Sequence, residues 1–166
     1  KIGLLGFDEV FSINKAEVLN TNNNSDILFR GIRTSAGNQT ASLKSLQGIS
    51  TWVLDEAEEL IDENIFDTID LSIREKNIHN RIILILNPVT KEHWIYNRFF
   101  QEKGVEGGFN GIKDNVCYIH STYLDNVVNL SESFLERIKS IKHNNFKKYT
   151  HKILGGWLDK AEGVVF

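Results

Sequence analysis

An α/β fold with a mainly parallel sheet is predicted by three observations. Residues 52–54, 82–86 and 116–119 are solid apolar runs, not alternating ones. Such strands are buried on both faces, as when helices cover a parallel sheet. Helical spacing falls between and after them, and alternating strands and helices imply βαβ units. Residues 16–20 and 26–32 add a β-hairpin, because the run Thr21-Asn-Asn-Asn-Ser25 between them is turn chemistry.

The helices follow from apolar positions. Leu60, Ile61, Ile65, Phe66 and Ile69 are spaced for one face of a helix over 58–70. Residues 93–103 and 131–143 are the next two. Ser131, with an acid behind it and Phe134, Leu135 and Ile138 following, has the pattern of a helix N-cap. Residues 1–15 are ambiguous, 34–48 form a polar connection, and four glycines make 104–111 a surface loop.

The 166 residues suit one domain, and a 41% apolar fraction is ample for a core. Cys117 is the only cysteine, which excludes an internal disulfide and fits a reducing compartment. Neither a signal-peptide pattern nor a membrane-length apolar stretch is present. The formal charge of -3 means that any nucleic-acid surface must be local. With no methionine in the chain, it reads as a piece of a longer protein.

Chemistry concentrates where strands end. The run 52–54 stops at Asp55-Glu56, and in open parallel sheets ligands gather beyond the carboxyl ends of strands. Asp55 is the candidate ligand for Mg²⁺, and Glu56 the candidate base that orients or deprotonates a water attacking a γ-phosphate. Taken alone, the pair reads equally as acids at a helix start, stabilised by the helix dipole. The run 82–86 stops at Asn87-Pro88. Asn87 is placed to hydrogen-bond a γ-phosphate or the attacking water, and its plainer reading is a turn initiator. The third run enters a polar cluster holding His120, Asp125 and Asn126. The five histidines show no zinc-ligand spacing.

The order of these segments carries a resemblance. Phe29-Arg-Gly31, Ile49-Ser-Thr-Trp-Val-Leu-Asp-Glu-Ala-Glu-Glu-Leu60, Leu86-Asn-Pro-Val-Thr-Lys-Glu-His-Trp94 with Tyr96 and Arg98-Phe-Phe100, His120-Ser-Thr-Tyr-Leu-Asp-Asn126, and Gly155-Gly-Trp157 through Ala161-Glu-Gly163 appear in sequence. The chain resembles the large subunit of tailed-phage terminases, the DNA-packaging motor. The combination of Asn-Pro-Val with His-Trp is more specific than the Asp-Glu pair.

The resemblance implies a three-layer P-loop NTPase core of the ASCE type, incomplete at its N-terminus, in residues 1–154. Residues 155–166 would end that ATPase domain and begin the connection to a nuclease domain. No G-x-x-x-x-G-K-[ST] element is present, so the phosphate loop is expected upstream. Asp55 and Glu56 match the Walker B acid and catalytic glutamate, and Asn87 lies in the coupling motif. ATP and Mg²⁺ are the implied cofactors, bound through Asp55 and Asn87. The implied partners are double-stranded DNA, the portal protein, the terminase small subunit and further copies in a ring. The implied setting is the host bacterial cytoplasm, in a phage or prophage.

Two weaker candidates remain. Arg30 matches no motif position but is a candidate finger toward a neighbouring subunit, its plainer reading being a strand-edge surface arginine. Residues 131–152 hold Arg137, Lys139, Lys142, Lys147, Lys148 and Lys152 against Glu132 and Glu136. Lys147 and Lys148 are candidates for DNA or subunit contact, and a solvated helix face is the alternative. Competing assignments are another P-loop motor such as a helicase, a non-catalytic binding or scaffold piece, and a metal-dependent nuclease using Asp55, Glu56, Asp62 and Asp70.

Overall fold

The computed structural model describes residues 6, 7, 9–32 and 48–159. The connection predicted over 34–48 lies outside them except for Gly48, as does the motif segment from Ala161 to Gly163. The chain divides into two compact units, residues 1–40 and 41–166.

The first unit is a three-stranded antiparallel meander of β1 (Phe11–Ile13), β2 (Glu17–Asn20) and β3 (Asp26–Leu28). The predicted hairpin is its second half, with Val18 opposite Ile27. Asparagines make the turns. Asn20 Oδ1 accepts from the Asn22 amide at 2.9 Å, and Asn23 Oδ1 from the Ser25 amide at 2.9 Å. Asn24 takes the left-handed conformation, φ 57°, which asparagine tolerates.

The second unit is built on two parallel strands, β4 (Thr51–Leu54) and β5 (Arg81–Leu84), in register from Thr51 opposite Arg81 to Leu54 opposite Leu84. The ladder runs on past both strands, since Ile85 N donates to Leu54 O and Ala57 N to Ile85 O, each at 2.9 Å. Contrary to the expectation of burial on both faces, the strands alternate. Trp52, Leu54, Ile82 and Leu84 turn inward, while Val53, Ile83 and Ile85 are 52%, 43% and 50% exposed. The described residues therefore cover one face of this sheet.

The helix predicted over 58–70 is interrupted. A 3₁₀ turn, Ala57–Glu59, is followed by extended backbone at Leu60, and α1 (Glu63–Asp70) starts afresh behind Asp62. The Asp62 carboxylate caps it by accepting from the Asn64 amide at 2.9 Å. The segment predicted over 93–103 is a short α2 (Trp94–Tyr96) running into a π-helical turn, Asn97–Gln101. A core forms where these meet. Phe66 of α1 packs its ring 4.8 Å from Trp94, 5.6 Å from Trp52 and 6.0 Å from Phe99.

The third apolar run is not part of the parallel sheet. β7 (Val116–Tyr118) pairs antiparallel with β6 (Gly111–Lys113) across a two-residue loop in which Asp114 has φ 53°. Its polar continuation is a 3₁₀ segment, Tyr123–Asn129. Thr122 and Asp125 form a reciprocal capping box there, and Asn126 Oδ1 accepts from Asn129 Nδ2 at 2.6 Å. Asp125 and Asn126 are thus engaged within this segment. α3 (Glu132–Asn144) begins as expected at Ser131, whose Oγ accepts from the Phe134 amide at 3.3 Å. A short α4 (Phe146–Lys148) and a second π-helical turn, Tyr149–Ile153, follow.

Candidate functional site

The site is the carboxyl edge of β4 and β5, where the register delivers Asp55, Glu56 and Asn87 together. Directly after β4 the chain turns sharply. Glu56 is left-handed, φ 52° and ψ 46°, an unusual conformation for a residue with a Cβ. The turn lets the next amide, Ala57 N, reach across to Ile85 O. Asp55 Oδ1 bends back to accept from the Glu56 amide at 3.1 Å, and both side chains are exposed.

The turn that follows is clamped by residues of the second strand and its continuation. Asn87 Nδ2 donates to Glu58 Oε1 at 3.2 Å. His93 Nε2 lies 3.1 Å from the Glu58 carbonyl oxygen. Its other nitrogen, Nδ1, accepts from the Ile95 amide at 3.3 Å, so the proton sits on Nε2, which donates to Glu58 O. Trp94 Nε1 donates to Leu60 O at 2.5 Å. Ala57 and Leu60, 0% and 2% exposed, plug the floor of the turn. Three of these acceptors, Glu58 Oε1, Glu58 O and Leu60 O, lie within residues 58–60, so a short segment without regular helix is tied to residues 87–94.

Behind it, Arg98 ties α1 in place. Its guanidinium Nη1 donates to Glu63 Oε1 at 2.9 Å and Asp67 Oδ1 at 2.6 Å, with Asp70 at 4.0 Å from Nη2. The same group lies 4.9 Å over the Phe66 ring. Asp62 and Asp70 are thereby occupied as a cap and an ion-pair partner. Among the described residues, no three His, Cys, Asp or Glu side chains are grouped to hold a metal ion.

The third motif segment joins from the side. A Cβ on Gly155, whose φ is 65°, would lie 3.2 Å from His120 Cε1 and 3.9 Å from Pro88 Cδ. Glycine there serves both the left-handed turn and the close approach. Beyond it, Leu158 N donates to Val89 O and Lys91 N to Leu158 O, a parallel bridge alongside the Asn87-Pro88 strand end. The Lys91–Asp159 ion pair, 2.5 Å, closes this contact. His120, Pro88 and Gly155 are therefore neighbours.

Other candidates lie elsewhere. Arg30 belongs to the first unit, where its guanidinium donates to Ala16 O and Phe29 O at 3.2 and 2.8 Å. Lys147 and Lys148 are exposed on α4, with Arg137, Lys139, Lys142 and Lys152 also exposed nearby in sequence. Sequence reasoning passed over Glu58 and the specific roles of His93, Trp94 and Arg98. Acids at 63, 67 and 70, all on one helix face, were the available signal for Arg98.

The family model for the phage terminase large subunit matches residues 2–156. The chain belongs to the phage terminase large subunit family. Among solved structures, the large terminase of a thermophilic bacteriophage (crystal form 2) aligns over 99% of this chain with a TM-score of 0.66 and 17% identity. This terminase chain therefore shares the fold of that part of the thermophilic phage protein, and spans 38% of its length. A second structure of the thermophilic phage enzyme, in complex with ADP, aligns over 72% of this chain and 26% of its own at 22% identity, with a TM-score of 0.48. No curated protein matches the chain. Among the described residues of this terminase segment, no helix is long and apolar enough to cross a membrane.

Proposed function

We propose that this chain is part of the ATP-hydrolysing motor of a viral or prophage terminase, driving DNA into a procapsid in the host bacterial cytoplasm. The observation that carries the reading is the common edge of β4 and β5, where Asp55 and Glu56 leave one strand and Asn87 the other. On this reading the sheet is the edge of a three-layer ASCE-type P-loop core, residues 1–154 belong to the ATPase domain, and 155–166 lead toward a nuclease domain. The phosphate loop is supplied from outside this chain, which alone hydrolyses no ATP.

The residues present suit Mg²⁺-ATP. Mg²⁺ is commonly held by one or two carboxylates together with waters and phosphate oxygens, and Asp55 is an exposed carboxylate at the strand end. Asp55 is the Walker B ligand, Glu56 the base and Asn87 the coupling residue. The bound ion would neutralise charge on the phosphates. Glu56, exposed beside Asp55 on a left-handed backbone, takes a proton from the attacking water. Double-stranded DNA, the portal protein, the small subunit and neighbouring copies are the proposed partners, with Lys147 and Lys148 toward DNA or a subunit and Arg30 toward a neighbouring subunit.

The test is a pair of substitutions in the full-length protein. Asp55→Asn weakens both Mg²⁺-ATP binding and turnover. Glu56→Gln preserves shape and binding, while hydrolysis falls by roughly 10²- to 10⁴-fold, the range for a positioned general base. Titration with a fluorescent ATP analogue and single-turnover rates read the two effects. Normal turnover in Glu56→Gln would leave the pair as a charged helix start and end the assignment.

A further inference from the structure

We propose that Glu58 is a positioning residue that fixes which side of the Asn87 amide faces the attacking water. The inference rests on the ATPase reading above and assigns a role to a residue outside the Walker B pair. An asparagine amide has two unlike ends, an acceptor oxygen and a donor nitrogen, and flipping it exchanges them. A carboxylate oxygen accepts, so Glu58 Oε1 captures the nitrogen end of Asn87 at 3.2 Å. The oxygen end is left at the exposed edge of the strands. An acceptor in that place takes a hydrogen bond from water and repels a phosphate oxygen. Asn87 is thereby matched to orienting the nucleophile rather than to binding the γ-phosphate.

Two observations give Glu58 this task rather than a packing role. Its backbone is fixed on both sides, by Ala57 N on Ile85 O before it and by His93 on its own carbonyl and Trp94 on Leu60 after it, which holds its carboxylate within reach of Asn87. Its second oxygen, Oε2, is buried with no hydrogen-bond partner among the described residues. A buried acceptor without a donor destabilises a fold. An apolar side chain would sit there with less penalty, so packing does not account for a carboxylate.

The experiment compares Glu58→Leu, Glu58→Gln, Asn87→Ala and the Glu58→Leu/Asn87→Ala double variant in the full-length protein. It reads kcat and KM for Mg²⁺-ATP, the Tm without nucleotide, and the Asn87 side-chain amide signals by NMR without nucleotide. Glu58→Leu is expected to lower kcat by about tenfold with KM within about twofold, the scale of one missing oriented hydrogen bond. Its Tm is expected to hold or rise, because the orphaned oxygen is gone. The Asn87 amide signals shift in this variant. Glu58→Gln, which keeps an acceptor, recovers most of the rate. The double variant is no slower than Asn87→Ala, because the two residues act as one unit.

Three results overturn the proposal: wild-type kcat in Glu58→Leu, kcat and Tm falling together, or losses that multiply in the double variant. Wild-type turnover in both Asn87→Ala and Glu56→Gln overturns the ATPase reading, and the role of Glu58 with it. Wild-type turnover confined to Glu58→Leu overturns the role of Glu58 alone.

Discussion

The imidazole of His93 donates from Nε2 to the backbone carbonyl of Glu58 at 3.1 Å, across 35 positions of sequence. A neutral ring does this while its Nδ1 caps α2 by accepting from the Ile95 amide. Burial lowers the pKa of His93 from its ordinary 6.5, and the hydrogen bond to Glu58 opposes that without reversing it.

Stability should therefore fall in acid. A histidine with a depressed folded pKa is neutral in both states above its unfolded value of 6.5, where the fold keeps its full stability. Below that value the unfolded chain takes up the proton first, and stability is lost as pH falls toward the folded pKa. Protonating Nδ1 also removes the acceptor for Ile95. His93→Gln should lower the Tm at about pH 7 yet show a shallower decline toward about pH 5. Thermal melts across that range check it, and parallel profiles for the two proteins would count against it.

Arg98 offers a second test, of stability alone. Its two short contacts to Glu63 and Asp67 are charge-assisted and half-buried. Arg98→Met keeps the stem over Phe66 but leaves both carboxylates without a cation, and should cost about 1–3 kcal/mol. Arg98→Lys should cost less, since one ammonium replaces one of the two contacts. Urea unfolding measures both. A change within about 0.5 kcal/mol for Arg98→Met would place this pairing among ordinary surface ion pairs.

The proposed contact of the exposed α4 lysines with DNA has a salt signature. Each phosphate that a lysine no longer neutralises should flatten the slope of log affinity against log salt by about 0.9. Reversing Lys147 and Lys148 to glutamate in the full-length protein should weaken non-specific duplex binding and reduce that slope. Fluorescence anisotropy over a salt series reads it. An unchanged slope would return α4 to the role of a solvated helix.

What the sequence made legible follows from where its signals are local. β4 and β5 were readable because apolar runs end abruptly at Asp55 and at Asn87-Pro88, and α3 because Ser131 carries its own cap. The antiparallel pairing of β7 was missed because β6 has a polar, glycine-led sequence, although Asp114-Asn115 between them is a two-residue hairpin loop. The break at Leu60 was hidden by helical spacing that continues across it, while Asp62 supplied an overlooked cap. The clamp was harder still. Two of its acceptors are main-chain carbonyls of Glu58 and Leu60, which leave no mark on sequence, so the donors Asn87, His93 and Trp94 were visible as motif residues while what they bind was not.

Residues 57–70 are held near both ends by residues 85–98, at Ala57 through Ile85 and at Glu63 and Asp67 through Arg98. Two segments tied at separated points resist sliding past each other, so the edge that carries Asn87 and the helix α1 share one scaffold although no continuous helix joins them.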